Sequence, residues 1–69
     1  MFTVYDFCYL AVDDSQLVRV YDMNPDVQRE VLCLRMRAAM YDDDYSGCEV
    51  QSYDIDNDGI VLNIDTSGE

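Results

Sequence analysis

The spacing of apolar residues near the start of the chain has a helical period. Phe7 and Leu10 are three residues apart, and Asp6 follows Thr3 at the same interval. Thr3 is therefore placed as an N-cap, with an acidic residue in the first turn where it complements the helix dipole. The pattern predicts a short helix over residues 3 to 12.

The middle of the chain carries two competing patterns. Residues 16 to 22 are rich in β-branched residues and predict a strand. Residues 25 to 41 fit either one helix, or a strand over residues 29 to 34 followed by a short helix over residues 35 to 41. The second alternative is favoured because its strand can pair with residues 16 to 22 across a short turn, but periodicity leaves both open.

Two alternating segments flank a sharp turn signal near the end of the chain. The turn sequence Asp-Asn-Asp-Gly ends at Gly59, and glycine readily adopts the positive φ that a hairpin turn requires. Pairing across this turn places Ile55 opposite Ile60, and Tyr53 opposite Leu62, on one face. These segments predict a second hairpin.

Together the elements predict one α+β domain spanning residues 1–69. Its sheet is expected to be small and antiparallel, with about four strands in two hairpins, and one or two short helices on one face. The predicted core consists of the inward-facing apolar residues Phe7, Leu10, Val18, Val20, Val31, Leu34, Tyr53, Ile55, Ile60 and Leu62.

The charge of the chain narrows the range of functions. Fifteen acidic residues stand against four arginines, with no lysine and no histidine, and the formal net charge is −11. Such a charge repels phosphates and anionic lipids, which argues against direct binding to nucleic acid or membranes. It favours a basic protein partner.

Catalytic chemistry has few candidate residues in this chain. Without histidine or lysine, the usual general bases and Schiff-base nucleophiles are missing, so neither an enzyme nor a cofactor is expected. Cys8, Cys33 and Cys48 lack metal-binding spacing and are expected to be buried thiols in a reducing compartment. The N-terminus has no basic region or long apolar run, which predicts a cytoplasmic protein.

The stretch DIDNDGIVLNID, residues 54 to 65, resembles a calcium-binding loop. Asp54, Asp56 and Asp58 match the first three ligand positions, and Asp65 matches the last. A calcium loop needs flanking helices, whereas the flanking residues here have the alternation of strands. An acidic hairpin turn is the favoured interpretation, and a calcium-binding module is the alternative.

Acidic residues interleaved with tyrosines suggest a surface that binds arginine and lysine side chains. This surface leads to the hypothesis of a non-enzymatic module that binds a basic protein surface, such as the nucleic-acid channel of a DNA- or RNA-handling protein. The candidate partner-binding residues are Asp13, Asp14, Asp42, Asp43, Asp44, Tyr45, Asp54, Asp56 and Asp58. Two alternatives are that the charge serves only solubility, and that the chain forms a homodimer through an exposed sheet edge.

The segments TVYDFCYLAVDDSQLVRVYDMN and CEVQSYDIDNDGIVLNID give the chain a resemblance to a group of known proteins. In the order of its elements it resembles small acidic orphan proteins of phages and other mobile elements of gut bacteria. The resemblance implies a helix, a hairpin, a short helix and a second hairpin. Some acidic proteins of such elements inhibit host defence, including anti-CRISPR and anti-restriction proteins, so the resemblance implies inhibition as a candidate function.

Overall fold

The computed structural model describes residues 1–10, 16–56 and 59–67. Within these ranges six elements follow one another: α1 (Val4–Tyr9), β1 (Leu17–Asp22), β2 (Arg29–Arg35), α2 (Met36–Met40), β3 (Val50–Asp56) and β4 (Gly59–Ile64). The four strands form one sheet in the order β2-β1-β4-β3. The predicted α+β class, with four strands and two short helices, is confirmed.

Helix α1 begins where the sequence indicates. The Thr3 hydroxyl accepts a hydrogen bond from the Asp6 N–H at 3.1 Å, and the Asp6 carboxylate accepts one from the Thr3 N–H at 3.0 Å. This reciprocal capping box satisfies two donors that the first turn of a helix otherwise leaves unpaired. The helix is shorter than predicted, because it ends at Tyr9 with Leu10 as its C-cap.

The ambiguous middle segment is a strand followed by a short helix, so the single-helix alternative is wrong. Strand β2 pairs antiparallel with β1, placing Leu32 opposite Val20 and Leu34 opposite Val18. Both leucines pack against the core from this position. The pairing explains why the strand prevails, since a helix over the same residues would leave one side of β1 unpaired.

The sheet is mixed and not wholly antiparallel as predicted: two antiparallel hairpins are joined by a parallel pair at its centre. Strands β3 and β4 are antiparallel, and the predicted pairs Ile55–Ile60 and Tyr53–Leu62 are both present. Strands β1 and β4 are parallel. A parallel pair requires a long connection between its strands, and here the chain from β1 to β4 passes through β2, α2 and β3.

The core lies between the two helices and the β1–β4 centre of the sheet. Its fully buried apolar side chains include Val4, Val18, Val20, Leu62 and Ile64. Helix α2 packs on β1 and β2, and α1 packs on α2. Both helices are short and lie towards the β1–β4 centre of the sheet. The part of the same face that belongs to β3 is therefore left uncovered.

This placement corrects three predicted core residues. Leu10, Tyr53 and Ile55 are 69%, 59% and 72% exposed. Phe7, Val31, Leu34 and Ile60 are partly buried against the core, and Val18, Val20 and Leu62 are buried.

The prediction for the cysteines also needs one correction. Cys8 and Cys48 are buried as expected, whereas Cys33 is exposed. Cys33 lies in β2, which is an edge strand, and pairs with Arg19. Its neighbours Leu32 and Leu34 take the inward positions, so the alternation of the strand directs Cys33 to the face opposite the helices.

Candidate functional site

The two edges of the sheet differ in charge. All four arginines belong to β1, β2 and α2. In one ion pair, Nε of Arg19 in β1 lies 4.0 Å from Oε1 of Glu30 in β2. Strands β3 and β4 contain no basic residue. Asp54 of β3 is exposed, as are Glu49 just before β3 and Asp65 just after β4. The β3 side of the sheet therefore carries negative charge that no neighbouring cation of its own strands offsets.

Strand β3 is one of the two edge strands of the sheet, and most of its outer side is unpaired within the described ranges. The N-terminal segment pairs with its beginning only: the Val50 N–H donates to the Phe2 carbonyl at 2.8 Å, and Thr3 forms a bridge with Glu49. From Gln51 to Asp56, no element of the described ranges lies beyond β3 in the sheet. Every second residue of an edge strand directs its N–H and C=O groups away from the sheet, where they are open to a partner.

An apolar groove of about 750 Å³ runs beside β3 on the helix-covered face of the sheet. Its walls include Phe2, Phe7, Leu10, Tyr53, Ile55 and Ile60. Phe7 contacts Phe2 edge-on, with ring centroids 6.2 Å apart, and Tyr53 at 5.9 Å. The three residues predicted to be core but found exposed all lie in this groove. They form one contiguous apolar surface, which is a feature that marks binding sites in soluble proteins.

The predicted partner-binding residues separate into two groups at opposite ends of β3. Asp43 and Asp44 are exposed in the turn after α2. This turn lies close to the beginning of α1, since the Tyr5 N–H donates a hydrogen bond to the Ser46 carbonyl at 2.8 Å. Asp54 and Asp56 lie in the last three residues of β3. Asp13, Asp14 and Asp58 lie outside the described residues.

Two of the predicted partner-binding residues make structural contacts. The Asp42 carboxylate accepts hydrogen bonds from the N–H groups of Asp44 at 3.2 Å and Tyr45 at 2.9 Å, which fixes the turn after α2. Tyr45 is half-buried and packs against the core. The acidic turn therefore presents Asp43 and Asp44 as its exposed carboxylates.

The hairpin geometry separates the calcium ligands that the sequence suggests. Asp54 pairs with Val61, whereas Asp65 follows Ile64, which pairs with Val50 near the other end of β3. Asp65 accepts a hydrogen bond from the Ser67 N–H at 2.9 Å. The described residues hold no cluster of three or more potential metal ligands. A calcium loop brings its first and last ligands together around the ion, and the extended hairpin keeps Asp54 and Asp65 apart.

Asp22 is the one buried carboxylate among the described residues, and no local sequence pattern indicates its role. Its side chain accepts hydrogen bonds from the Thr66 hydroxyl at 2.7 Å, the Thr66 N–H at 3.2 Å and the Asn24 N–H at 2.9 Å. Burial alone would raise the pKa of Asp22, but these hydrogen bonds and the charge of Arg29 lower it below its ordinary 3.8. Asp22 thus ties the end of β1 to the C-terminal tail.

The three thiols are expected to differ strongly in reactivity. Burial raises the pKa of Cys8 to about 11, which leaves it protonated at neutral pH. Cys48 is also buried, whereas Cys33 is exposed.

A maleimide added to the native protein is therefore expected to label Cys33 first, with Cys8 and Cys48 protected until the chain unfolds. Peptide mapping after limited labelling measures the order, with urea-unfolded protein as control. Equal labelling of all three thiols in the native protein would contradict the buried positions of Cys8 and Cys48.

Comparison with known families, curated proteins and solved structures gives no match to this chain. Across the described ranges, no helix has the length and apolar character needed to cross a membrane.

Proposed function

We propose that the protein is a non-enzymatic binding protein that engages a basic protein surface through the acidic β3–β4 side of its sheet. The observation that carries this proposal is the segregation of charge, with every arginine in β1, β2 or α2 and none in the other two strands. Charge that served solubility alone would not need this asymmetry. A one-sided negative field orients an approaching cationic partner and accelerates its association.

The class of partner that fits best is a protein that handles DNA or RNA. Such proteins have extended basic surfaces that neutralise phosphates, and an acidic fold with a net charge of −11 can compete for them. The resemblance to acidic proteins of phages and mobile elements supports a role as an inhibitor of anti-CRISPR or anti-restriction type. The three free thiols are consistent with a reducing compartment, so we place this function in the cytoplasm.

The location of the contact can be tested with two double variants that remove the same charge from different places. Asp54→Asn with Asp56→Asn removes two negative charges from β3, and Asp43→Asn with Asp44→Asn removes two from the turn after α2. With a basic partner recovered from a bacterial lysate, we expect the β3 variant to bind about tenfold more weakly and the turn variant to bind nearly as well as the wild type. Isothermal titration calorimetry at low and physiological ionic strength measures both effects.

Two outcomes would contradict the proposal. Recovery of no basic protein at low ionic strength would remove its basis, and equal weakening by both double variants would show that net charge, not the β3 side, decides binding. Binding should also weaken steeply as salt is added, because exposed charges are screened. If the protein occupies the nucleic-acid channel of its partner as a mimic of the phosphate backbone, double-stranded DNA is expected to displace it from the partner. Simultaneous binding of the protein and DNA to the partner would exclude such mimicry.

A further inference from the structure

We infer that the partner contributes an extended peptide segment of alternating apolar and cationic residues, which adds to the sheet as a fifth strand beside β3. This inference rests on the proposed function and specifies how the same surface recognises its partner. Three properties meet at β3: an open backbone edge, an apolar groove on one face, and the exposed Asp54 on the other. Strand β3 itself contains no basic residue, and Arg19, on the same face as Asp54, is two strands away in β1.

The backbone supplies the first property. Only the beginning of β3 pairs with the N-terminal segment, which leaves the stretch from Gln51 to Asp56 as the edge of the sheet within the described ranges. An incoming extended segment can hydrogen-bond with this stretch as one more strand, a recognition mode in which backbone bonds give affinity and side-chain pockets give specificity.

The two faces of β3 supply the other properties. Tyr53 and Ile55 pair with Leu62 and Ile60, and so they lie on the helix-covered face, beside the groove. Asp54 pairs with Val61 on the opposite face and is exposed. Side chains of an added strand also alternate between the two faces. Its apolar residues would therefore enter the groove, while its Lys or Arg residues would face the acidic side.

Charge also argues against a second copy of this chain as the occupant. Each copy carries a net charge of −11, and antiparallel pairing of two β3 strands would bring the acidic residues of one strand close to those of the other. Like charges opposite one another destabilise paired strands. A cationic segment replaces this repulsion with attraction, so the acidic edge discriminates between the two occupants.

Two synthetic peptides test the recognition mode. One alternates Lys or Arg with Val or Ile over seven residues, the length of β3, and the other has the same composition with its cations grouped at one end. The alternating peptide is expected to bind at least about tenfold more tightly. It is also expected to slow amide exchange in residues 52–55. Equal affinity for both peptides, or no change in exchange in residues 52–55, would overturn strand addition, while the salt-dependent capture of a basic protein tests the proposed function separately.

A matched pair of variants tests the groove. Ile55 and Tyr41 are 72% and 70% exposed, and Tyr41 is not part of the groove wall. Ile55→Lys and Tyr41→Lys change the net charge equally at positions where the fold tolerates a polar side chain. We expect Ile55→Lys to weaken binding of the alternating peptide at least about tenfold, and Tyr41→Lys to change it by less than about twofold.

Two results from these experiments would refute the inference. Equal weakening by the two lysine variants would show that overall charge decides affinity and that the groove is not occupied. Dimerisation of the peptide-free protein through β3, detected by analytical ultracentrifugation together with protection of residues 52–55, would identify a second copy as the occupant. A monomer whose β3 amides become protected only on adding the alternating peptide supports the inference.

Discussion

Replacing Asp22 with alanine is expected to lower the free energy of unfolding by about 3 kcal/mol, because the carboxylate accepts three hydrogen bonds in a buried position. Removing it leaves the N–H groups of Asn24 and Thr66 and the Thr66 hydroxyl without their acceptor. A domain of 69 residues has about 3–10 kcal/mol of stability in total. The substitution should therefore remove between about a third and nearly all of the stability of the domain.

Urea denaturation of the variant measures this loss, and Asp26→Ala is the matched control. Asp26 is an exposed acid in the loop that follows Asp22, so its replacement should change the free energy of unfolding by less than about 0.5 kcal/mol. Asp22→Asn keeps one acceptor oxygen and should lie between the wild type and Asp22→Ala. A loss below about 1 kcal/mol for Asp22→Ala would show that the hydrogen bonds of Asp22 contribute little net stability.

The same carboxylate makes stability depend on pH in a defined direction. The pKa of Asp22 is lower in the folded chain than its ordinary 3.8, because hydrogen bonds from Asn24 and Thr66 outweigh the effect of burial. The folded state therefore holds fewer protons than the unfolded state near this pH. The contribution is fully present above pH 3.8 and is lost as pH falls through the folded-state pKa. The stability difference between wild type and Asp22→Asn should accordingly shrink on acidification below pH 3.8.

Elements with local signals could be predicted from the sequence. The helix start at Thr3 is specified by a capping box within four residues, and the second hairpin by alternation around Gly59. Both depend on contacts between residues close in sequence, which a single chain displays directly. Strand β2 is harder to predict, since its short apolar run also fits a helix. Only its pairing with β1 distinguishes the strand from the helix.

The uncovered groove depends on how far the two helices extend over the sheet, which no local sequence pattern shows. Leu10, Tyr53 and Ile55 have the spacing of core residues, and they would be buried if the helices extended over β3. Helix α1 has six residues and α2 has five, which is too short to cover all four strands. The burial of Asp22 similarly depends on Thr66, which is 44 residues away in sequence.

The candidate site was therefore predicted only in part. Asp54 was named from the sequence as an acidic surface residue, and it is exposed on β3. The separation of the arginines from β3 could have been read from the sequence, because all four lie between residues 19 and 37. That signal became informative only when the strand order placed β2 and β3 at opposite edges of the sheet.

Replacing Gly59 with alanine is expected to cost about 3 kcal/mol of stability, because both backbone conformation and space exclude a side chain there. Gly59 has a φ of +128°, in a region that residues with a Cβ rarely adopt. An added Cβ would lie 2.6 Å from the carbonyl oxygen of Leu17. That oxygen belongs to the backbone of β1, the parallel neighbour of β4, so it cannot move aside without disturbing the pairing at the centre of the sheet.

Gly47→Ala is the matched control for this substitution. A Cβ at Gly47 would meet no atom within 4 Å, so alanine there should leave the free energy of unfolding within about 0.5 kcal/mol of the wild type. Urea denaturation of the two variants separates the local conflict at Gly59 from the general effect of replacing glycine. Equal stability of the two variants would show that β1 and β4 separate at little cost. Because Ile55 and Ile60 pair beside Gly59, such a yielding sheet would also be unable to hold the groove in a fixed shape.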